Sequence, residues 1–264
     1  NQRQLGEEST ISAWSPGIDF AYKLGKVTTA YASVDQSVRY PTYTDLYYAR
    51  GNAFGSIDLE HESALNIEAG LRQGVQKNSR YNVALFNRRS ANLIDWVTYS
   101  GNDTAYAENI TALNLTGLEA SWGFYASKRK SFIRSVSSSL LLMNGSSPEV
   151  AYSSLYALDY LRFKANITVN NRLRRSLFLK WAITAQDRNG TYREASTNTE
   201  VNYRPFILAD AKLYWAPIAG ITARQIPFKA FVNVTNTFGT SYYDRGNVVQ
   251  PGRWVSAGFE IRFR

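Results

Sequence analysis

The segment "WVSAGFEIRFR" (254–264) places Val255, Ala257, Phe259, Ile261 and Phe263 on alternate positions, with Ser256, Gly258, Glu260 and Arg262 between them. A period of two belongs to a strand with one apolar and one polar face. The pattern recurs along the whole chain. "SALNIEAGLR" sets Leu65, Ile67, Ala69 and Leu71 against Asn66, Glu68, Gly70 and Arg72. "YLRFKANITVN" sets Leu161, Phe163, Ala165, Ile167 and Val169 against Arg162, Lys164, Asn166, Thr168 and Asn170. Leu177, Leu179, Trp181, Ile183 and Ala185 form another such row, as do Phe228, Ala230, Val232 and Val234. Helical periodicity is almost absent. The alternation predicts about eleven strands, near 17–24, 26–37, 62–73, 79–98, 104–126, 131–143, 157–170, 175–187, 204–216, 226–243 and 253–263.

Many of these exceed the usual five or six residues. The connections divide into two kinds. "GK" (25–26), "GVQKN" (74–78), "SKRK" (127–130) and "NRLR" (171–174) are tight, whereas those near 38–61, 99–105, 144–156, 188–203 and 244–252 are long and polar. They alternate along the chain, the 217–225 turn being the least regular. Successive strands therefore have a trimmed end and an elaborated end, as transmembrane β-barrels do. An apolar band about 25 Å tall, crossed at a tilt near 40°, takes roughly ten residues, of which about five face out. The facing rows carry Arg162, Lys164, Asp210, Lys212, Glu260 and Arg262, which a dry core would rarely accept. A soluble sandwich shares the period but not the need for that charged row. The expected fold is all-β, a transmembrane antiparallel barrel. Val255, Ala257, Phe259, Ile261 and Phe263 are expected to face lipid, and Glu260 and Arg262 the lumen.

Composition narrows the chemistry. The chain has 264 residues, no cysteine and one histidine, so disulfides and thiolate metal sites are excluded. His61, within "DLEHE", reads as part of a solvated loop, because a hard cation needs six to eight oxygens. A serine hydrolase would need His61 as its base, and no recognisable nucleophile motif accompanies it. No catalytic residue, metal or cofactor is expected. No run approaches the roughly 18 apolar residues of a membrane-spanning helix. Residues 1–14 read as the remnant of an extracellular loop and 15–264 as barrel.

The formal charge of +9 first points to nucleic acid. Its placement changes that reading. Lys23, Lys26, Lys77, Arg80, Lys128, Arg129, Lys130, Arg172, Arg174, Arg175 and Arg224 all fall at the tight turns, leaving the remainder slightly acidic. A rim so charged fits anionic phospholipid, or plain solvation, rather than a nucleic acid.

Aromatic residues gather at the long loops: Tyr40, Tyr43, Tyr47, Tyr48, Trp96, Tyr99, Tyr242 and Tyr243. Trp96 and Tyr99 fit an interfacial girdle at least as well as a ligand site. The 40–48 run outlasts its strand and fits contact with a large planar ligand. Tyr43, Tyr47, Tyr48, Arg50, Tyr242 and Tyr243 are the candidate ligand-binding residues. Trp122, Phe124, Phe132 and Trp215 fall at the opposite girdle.

Three stretches resemble the C-terminal half of TonB-dependent outer-membrane transporters. They are "SVRYPTYTDLYY" with "IDLEHESALNIEAGLR", "NRRSANLIDWVTYS" with "AENITALNLTGLEASW", and "VNVTNTFGTSYYDRGNVVQPGRWVSAGFEIRF". Glu68 and Gly70 match the family's strand motif, while His61-Glu62 replaces its usual Pro-Glu, and Arg264 follows the closing aromatic. "PTYTDLYY" and "LIDWV" look most like cobalamin transporters, with siderophore receptors next. The resemblance implies a bacterial outer-membrane importer of a large scarce nutrient, without covalent chemistry. It also implies a 22-stranded plugged barrel, of which eleven strands are half. The other half, with its plug, and a TonB-type energy-coupling protein are the implied partners, alongside outer-membrane lipid and the nutrient. The alternative is a complete twelve-stranded barrel, using "STISAW" as an extra strand, that acts as porin, translocator or outer-membrane enzyme.

Overall fold

The computed structural model describes residues 12–261, apart from 100–101, 111, 129–130, 148–151, 155–157, 195, 198, 217–227, 245, 247 and 249. The chain opens with β1 (Gly17–Lys23) and β2 (Thr28–Arg39), then one helical turn, α1 (Tyr43–Tyr47), and two short strands, β3 (Ala49–Arg50) and β4 (Ala53–Phe54). There follow β5 (Glu62–Gln76), β6 (Ser79–Ala91), β7 (Leu93–Tyr99), β8 (Ala105–Ile110), β9 (Leu113–Tyr125), β10 (Ile133–Ser146) and β11 (Tyr152–Ser154). The last are β12 (Leu161–Arg172), β13 (Leu177–Arg188), β14 (Thr191–Arg193), β15 (Glu200–Asn202), β16 (Phe206–Trp215), β17 (Phe228–Thr235) and β18 (Trp254–Ile261).

The main sheet has eleven antiparallel strands in the order β1-β2-β5-β6-β9-β10-β12-β13-β16-β17-β18. Each pairs with its neighbour along the chain, and the register puts the apolar rows in line. Phe20 opposes Ala32, Ala32 opposes Ala69, and Ala69 opposes Leu85, which opposes Leu118. Ile183 opposes Ile167, and Val232 opposes both Leu213 and Ala257. One face is thus apolar from edge to edge.

That face is the exposed one. Phe20 is 64% exposed, Leu85 62% and Phe259 70%. Along β5, Leu65, Ile67, Ala69 and Leu71 are exposed, while Asn66, Glu68 and Gly70 between them are partly sheltered. A soluble sheet does the reverse. On the polar face, Asn66 Nδ2 donates to Asp35 Oδ2 (2.7 Å), Asn166 Nδ2 to Ser139 Oγ (3.1 Å) and Thr184 Oγ1 to Asn166 Oδ1 (2.9 Å). A cleft of about 280 Å³ lies between Glu119, Lys164 and Asn82 on the same face.

The tight turns have turn chemistry. Lys77 and Asn78 both take positive φ (44° and 75°), the requirement of a two-residue hairpin that follows the sheet twist. Glycines of the polar face receive a neighbouring strand's ring. A Cβ on Gly70 would lie 2.7 Å from the Tyr31 ring, and one on Gly258 2.9 Å from Phe231, so the motif glycine leaves room for cross-strand aromatic packing.

Three expected strands are shorter or broken. The 79–98 strand ends at Ala91, where Asn92 takes φ 53° and β7 leaves the main sheet. The 104–126 strand divides correspondingly into β8 and β9. The 226–243 strand stops at Thr235, because Asn236 takes φ 48° and folds the chain over itself. Its Nδ2 donates to Thr240 O (2.7 Å) and its Oδ1 accepts from Thr240 N (2.8 Å). Asparagine tolerates this left-handed geometry. Ser12, Ala13 and Trp14 of "STISAW" are not in a strand; the rest of that string, most of 1–14, lies outside the described residues. So do Arg262, Phe263 and Arg264, and Arg129, Lys130 and Arg224 of the basic turns.

Candidate functional site

Above the long-loop end of the sheet, the connections fold into a cap. β11, β7, β8, β4 and β3 form a second, five-stranded sheet. It has its own dry core. Leu93, Val97, Ile110 and Leu113 make one buried cluster, and Leu59, Ile94 and Ala107 another, with Leu46 and Trp96 packed against it. Both faces of β7 are covered, which is why Leu93, Ile94, Asp95 and Val97 are all buried.

An ionic hub ties this cap to the main sheet. Arg39, the last residue of β2, donates from Nη2 to Glu62 Oε1 (2.6 Å) and to Ile94 O (3.1 Å). Its Nη1 stands 3.6 Å from Asp45 Oδ2. Glu62 Oε1 also accepts from Ile94 N (2.7 Å). Asp45 Oδ2 accepts from Thr42 N (2.9 Å) and Thr42 Oγ1 (2.8 Å), while Asp45 N donates to Thr42 Oγ1, closing a capping box on α1. Asp45 Oδ1 accepts from Trp96 Nε1 (3.3 Å). Asp95, 1% exposed, accepts from Trp96 N (2.8 Å) and from Ser154 Oγ. These contacts bind the 40–61 connection, the β7–β8 hairpin and β11 into one body.

Burial alone would raise the Asp45 carboxyl. The hydrogen bonds from Thr42 and Trp96 and the Arg39 charge outweigh it and hold its pKa below the ordinary 3.8. A depressed carboxyl stabilises the folded state above its unfolded pKa, and that contribution disappears as pH falls through the folded value. Cap protection, read by limited proteolysis at Tyr43–Tyr48, is therefore expected to be constant from neutral pH down to about 4 and to fall below it. Asp45→Asn should remove this part of the pH dependence; an unchanged acid limb in that variant would refute the assignment.

The candidate ligand residues separate into two groups. Tyr43 and Tyr47 lie one helical turn apart on α1 with rings 4.7 Å apart, 74% and 55% exposed. Tyr48 meets Trp96 edge-on at 5.9 Å, and Arg50 is exposed on β3. Tyr242 and Tyr243 belong to a different loop cluster and are only half-exposed. Tyr242 packs on Phe206 (4.6 Å) and Tyr243 stacks on Tyr192 (5.4 Å), which in turn meets Tyr203 (5.2 Å). Tyr203, 5% exposed, donates to Asp159 Oδ2 (2.9 Å) and accepts from Gly246 N (2.7 Å). Arg188 reaches Asp244 at 3.3 Å beside it.

Trp96 does not sit in an interfacial girdle: its indole is bonded inside the cap. Tyr99 is 40% exposed and donates to Glu108 Oε2 (2.7 Å), also within the cap. Trp122 (43% exposed) and Trp215 (47%) are on the apolar face near the tight turns, Trp122 stacked with Phe124. His61 stands 6.2 Å from the Tyr40 ring, and among the described residues no three His, Cys, Asp or Glu are grouped to hold a metal. Sequence reading gave Arg39 and Asp95 no role and met Glu62 only as half of the His61-Glu62 pair. A carboxylate inside the apolar run "LIDWV" was the available signal, since such a group is tolerated only with partners.

Several solved structures are similar in fold. The siderophore receptor PirA from Acinetobacter baumannii superposes with a TM-score of 0.64 at 17% identity, covering 94% of this chain and 40% of its own. The copper transporter OprC gives 0.66 at 14%, covering 94% and 39%. The FrpB iron transporter from Neisseria meningitidis (F3-3 variant) gives 0.64 at 14%, covering 93% and 38%. This chain thus spans about two-fifths of the length of those structures. No curated protein sequence matches it. The family described as "TonB dependent receptor-like, beta-barrel" matches residues 2–247, nearly the whole chain and all but the last strand of the sheet, and the protein belongs to that family.

Proposed function

We propose that the chain is the C-terminal barrel portion of a bacterial outer-membrane receptor. In this reading it imports a large, scarce nutrient with energy supplied through a TonB-type partner. The observation that carries it is the sidedness of the eleven-stranded sheet, apolar and exposed on one face, polar and sheltered on the other, with an ordered cap, among the described residues, at the long-loop end. Val255, Ala257, Phe259 and Ile261 then face lipid, the capped end is extracellular and the tight turns are periplasmic. Among the described residues, β1 and β18 each have one sheet neighbour. Open edges in lipid would leave backbone groups unpaired, so further strands complete the barrel, and a plug fills it. Such unpaired edges disfavour a self-contained porin, translocator or enzyme of twelve strands.

Among nutrients, an iron–siderophore or other metal complex is favoured over cobalamin. "PTYTDLYY" and "LIDWV" supply Thr42, Asp45, Asp95 and Trp96, which hold the cap together, so these strings report the cap's folding rather than its ligand. The names of the similar structures, a siderophore receptor, a copper transporter and an iron transporter, lean the same way.

Tyr47 offers the better test residue, since its ring is exposed and Tyr48 also packs on Trp96. Replacing both with alanine should weaken binding of the cognate complex by about 1–3 kcal/mol, the loss of two aromatic contacts, without unfolding the barrel. Titration with a ferric catecholate, a ferric hydroxamate and cyanocobalamin separates the ligand classes. Unchanged affinity for whichever ligand binds would remove Tyr47 and Tyr48 from the site, and binding of cyanocobalamin alone would overturn the metal-complex reading.

A further inference from the structure

At the long-loop end of β6, β9 and β10 the apolar face is interrupted. Asn87 stands in line with Ile67, Thr116 and Asn144, and Arg89 with Leu65, Asn114 and Ser146. Directly opposed residues share a face, so this polar block lies on the side of Leu65 and Ile67. Arg88, between the two, is in line with Asn66 and bonds from Nε to Ser90 Oγ (3.3 Å) on the other side. The next row towards the tight turns is apolar again, with Leu85, Leu118 and Leu142.

The block is hydrogen-bonded within itself. Asn87 Nδ2 donates to Asn114 Oδ1 (2.8 Å) and Thr116 Oγ1 (2.7 Å), and Asn87 Oδ1 accepts from Arg89 Nε (3.2 Å). The guanidinium is thereby held through Nε, and among the described residues neither Nη has a partner. From β2 to β10, neither row contains a carboxylate among the described residues. A pinned cation thus stands among neutral amides and hydroxyls, short of an anion. Height decides what can supply one. Between Trp122, near the tight turns, and Asn114, β9 rises about 20 Å at a tilt near 40°, most of an apolar band about 25 Å tall. The block therefore sits at the far border of the band, where an outward arginine costs little and headgroups begin. Two free Nη groups on one guanidinium match two oxygens of a phosphate. The row of Leu85, Leu118 and Leu142 beneath suits the acyl chains of the same molecule.

We infer that Arg89, seated by Asn87, binds the phosphate of a lipid headgroup in the leaflet at the long-loop end. This rests on the reading that the apolar face meets lipid. The intact receptor carrying this chain, in neutral detergent, is titrated by native mass spectrometry with phosphatidic acid, the matching diacylglycerol and inorganic phosphate. Phosphatidic acid should bind more tightly than diacylglycerol, and inorganic phosphate should compete weakly because it lacks acyl chains. Arg89→Gln should lose about tenfold in affinity for phosphatidic acid, as expected for hydrogen bonds to a charged group. Asn87→Ala, which releases the guanidinium, should lose part of that. Arg88→Gln, the same change of charge on the opposite face, should bind as the parent does. Heat-modifiable migration on gels verifies that each variant folds. Equal losses in Arg88→Gln and Arg89→Gln, or none in either, would overturn the site while leaving the lipid-facing reading intact. Retention of neither lipid, together with unchanged stability on Phe259→Arg, would overturn that reading too. Inorganic phosphate binding as tightly as phosphatidic acid would reassign Arg89 to a free anion. A shift from dimer to monomer in Arg89→Gln, with lipid binding unchanged, would reassign the block to a contact between copies of the receptor.

Discussion

Replacing Phe259 with arginine is expected to destabilise the barrel by about 2–4 kcal/mol in a refolding titration in lipid, the cost of a charge on the lipid face near the midplane. Phe259 is 70% exposed, stands opposite Ala230 and has its ring 6.3 Å from that of Phe228. In a soluble sheet the same substitution would be close to neutral, since surface changes away from special features stay within about 0.5 kcal/mol. The neighbouring Glu260 provides the control, because it belongs to the polar row with Lys229. Glu260→Gln should cost far less, as a half-exposed ion pair is worth about 0–1 kcal/mol. A neutral Phe259→Arg would mean that the apolar face does not contact lipid.

The second large effect concerns the hub. Glu62→Ala leaves the Ile94 N–H without its acceptor and removes the shorter of the Arg39 ion pairs. A buried unsatisfied donor costs about 1–3 kcal/mol. The charge contributes less, because the Arg39 side chain is 46% exposed and water can solvate it. The sum, about 1–4 kcal/mol, should appear in the cap rather than in the barrel. Amide hydrogen exchange should accelerate at Ile94 and through β7, while the centres of β5 and β6 keep their protection. Glu62→Gln, which keeps an acceptor oxygen, should retain most of the Ile94 bond and lose part of the Arg39 contact. Uniform acceleration through the main sheet would show that the hub supports the barrel instead of the cap.

The strands were legible because alternation is local. Most of the eleven main-sheet strands matched a run of period two, β10 with its consecutive Leu140, Leu141 and Leu142 being an exception, and the register joined those runs into one apolar face. The charged row of Glu260 or Lys212 also identified, from sequence, which face is polar. Where a strand stops was not legible. "NRRSANLIDWVTYS" continues its alternation through Asn92, yet β7 turns out of the sheet there, since both of its faces find apolar neighbours in the cap. The candidate site was legible as clusters of residue types, not as contacts. Tyr47 and Tyr242 both lie in loops, but only the fold separates them into an exposed pair on α1 and a packed aromatic stack against Tyr192 and Phe206. Arg39, Asp45, Glu62 and Asp95 sit in recognisable strings, and nothing within any one string names its partner. Alternation depends on neighbours two residues apart, so the sequence by itself determined the strands and their faces. The hub and the polar block around Arg89 are made by residues from different strands and loops brought side by side, and only tertiary structure decides which polar groups meet.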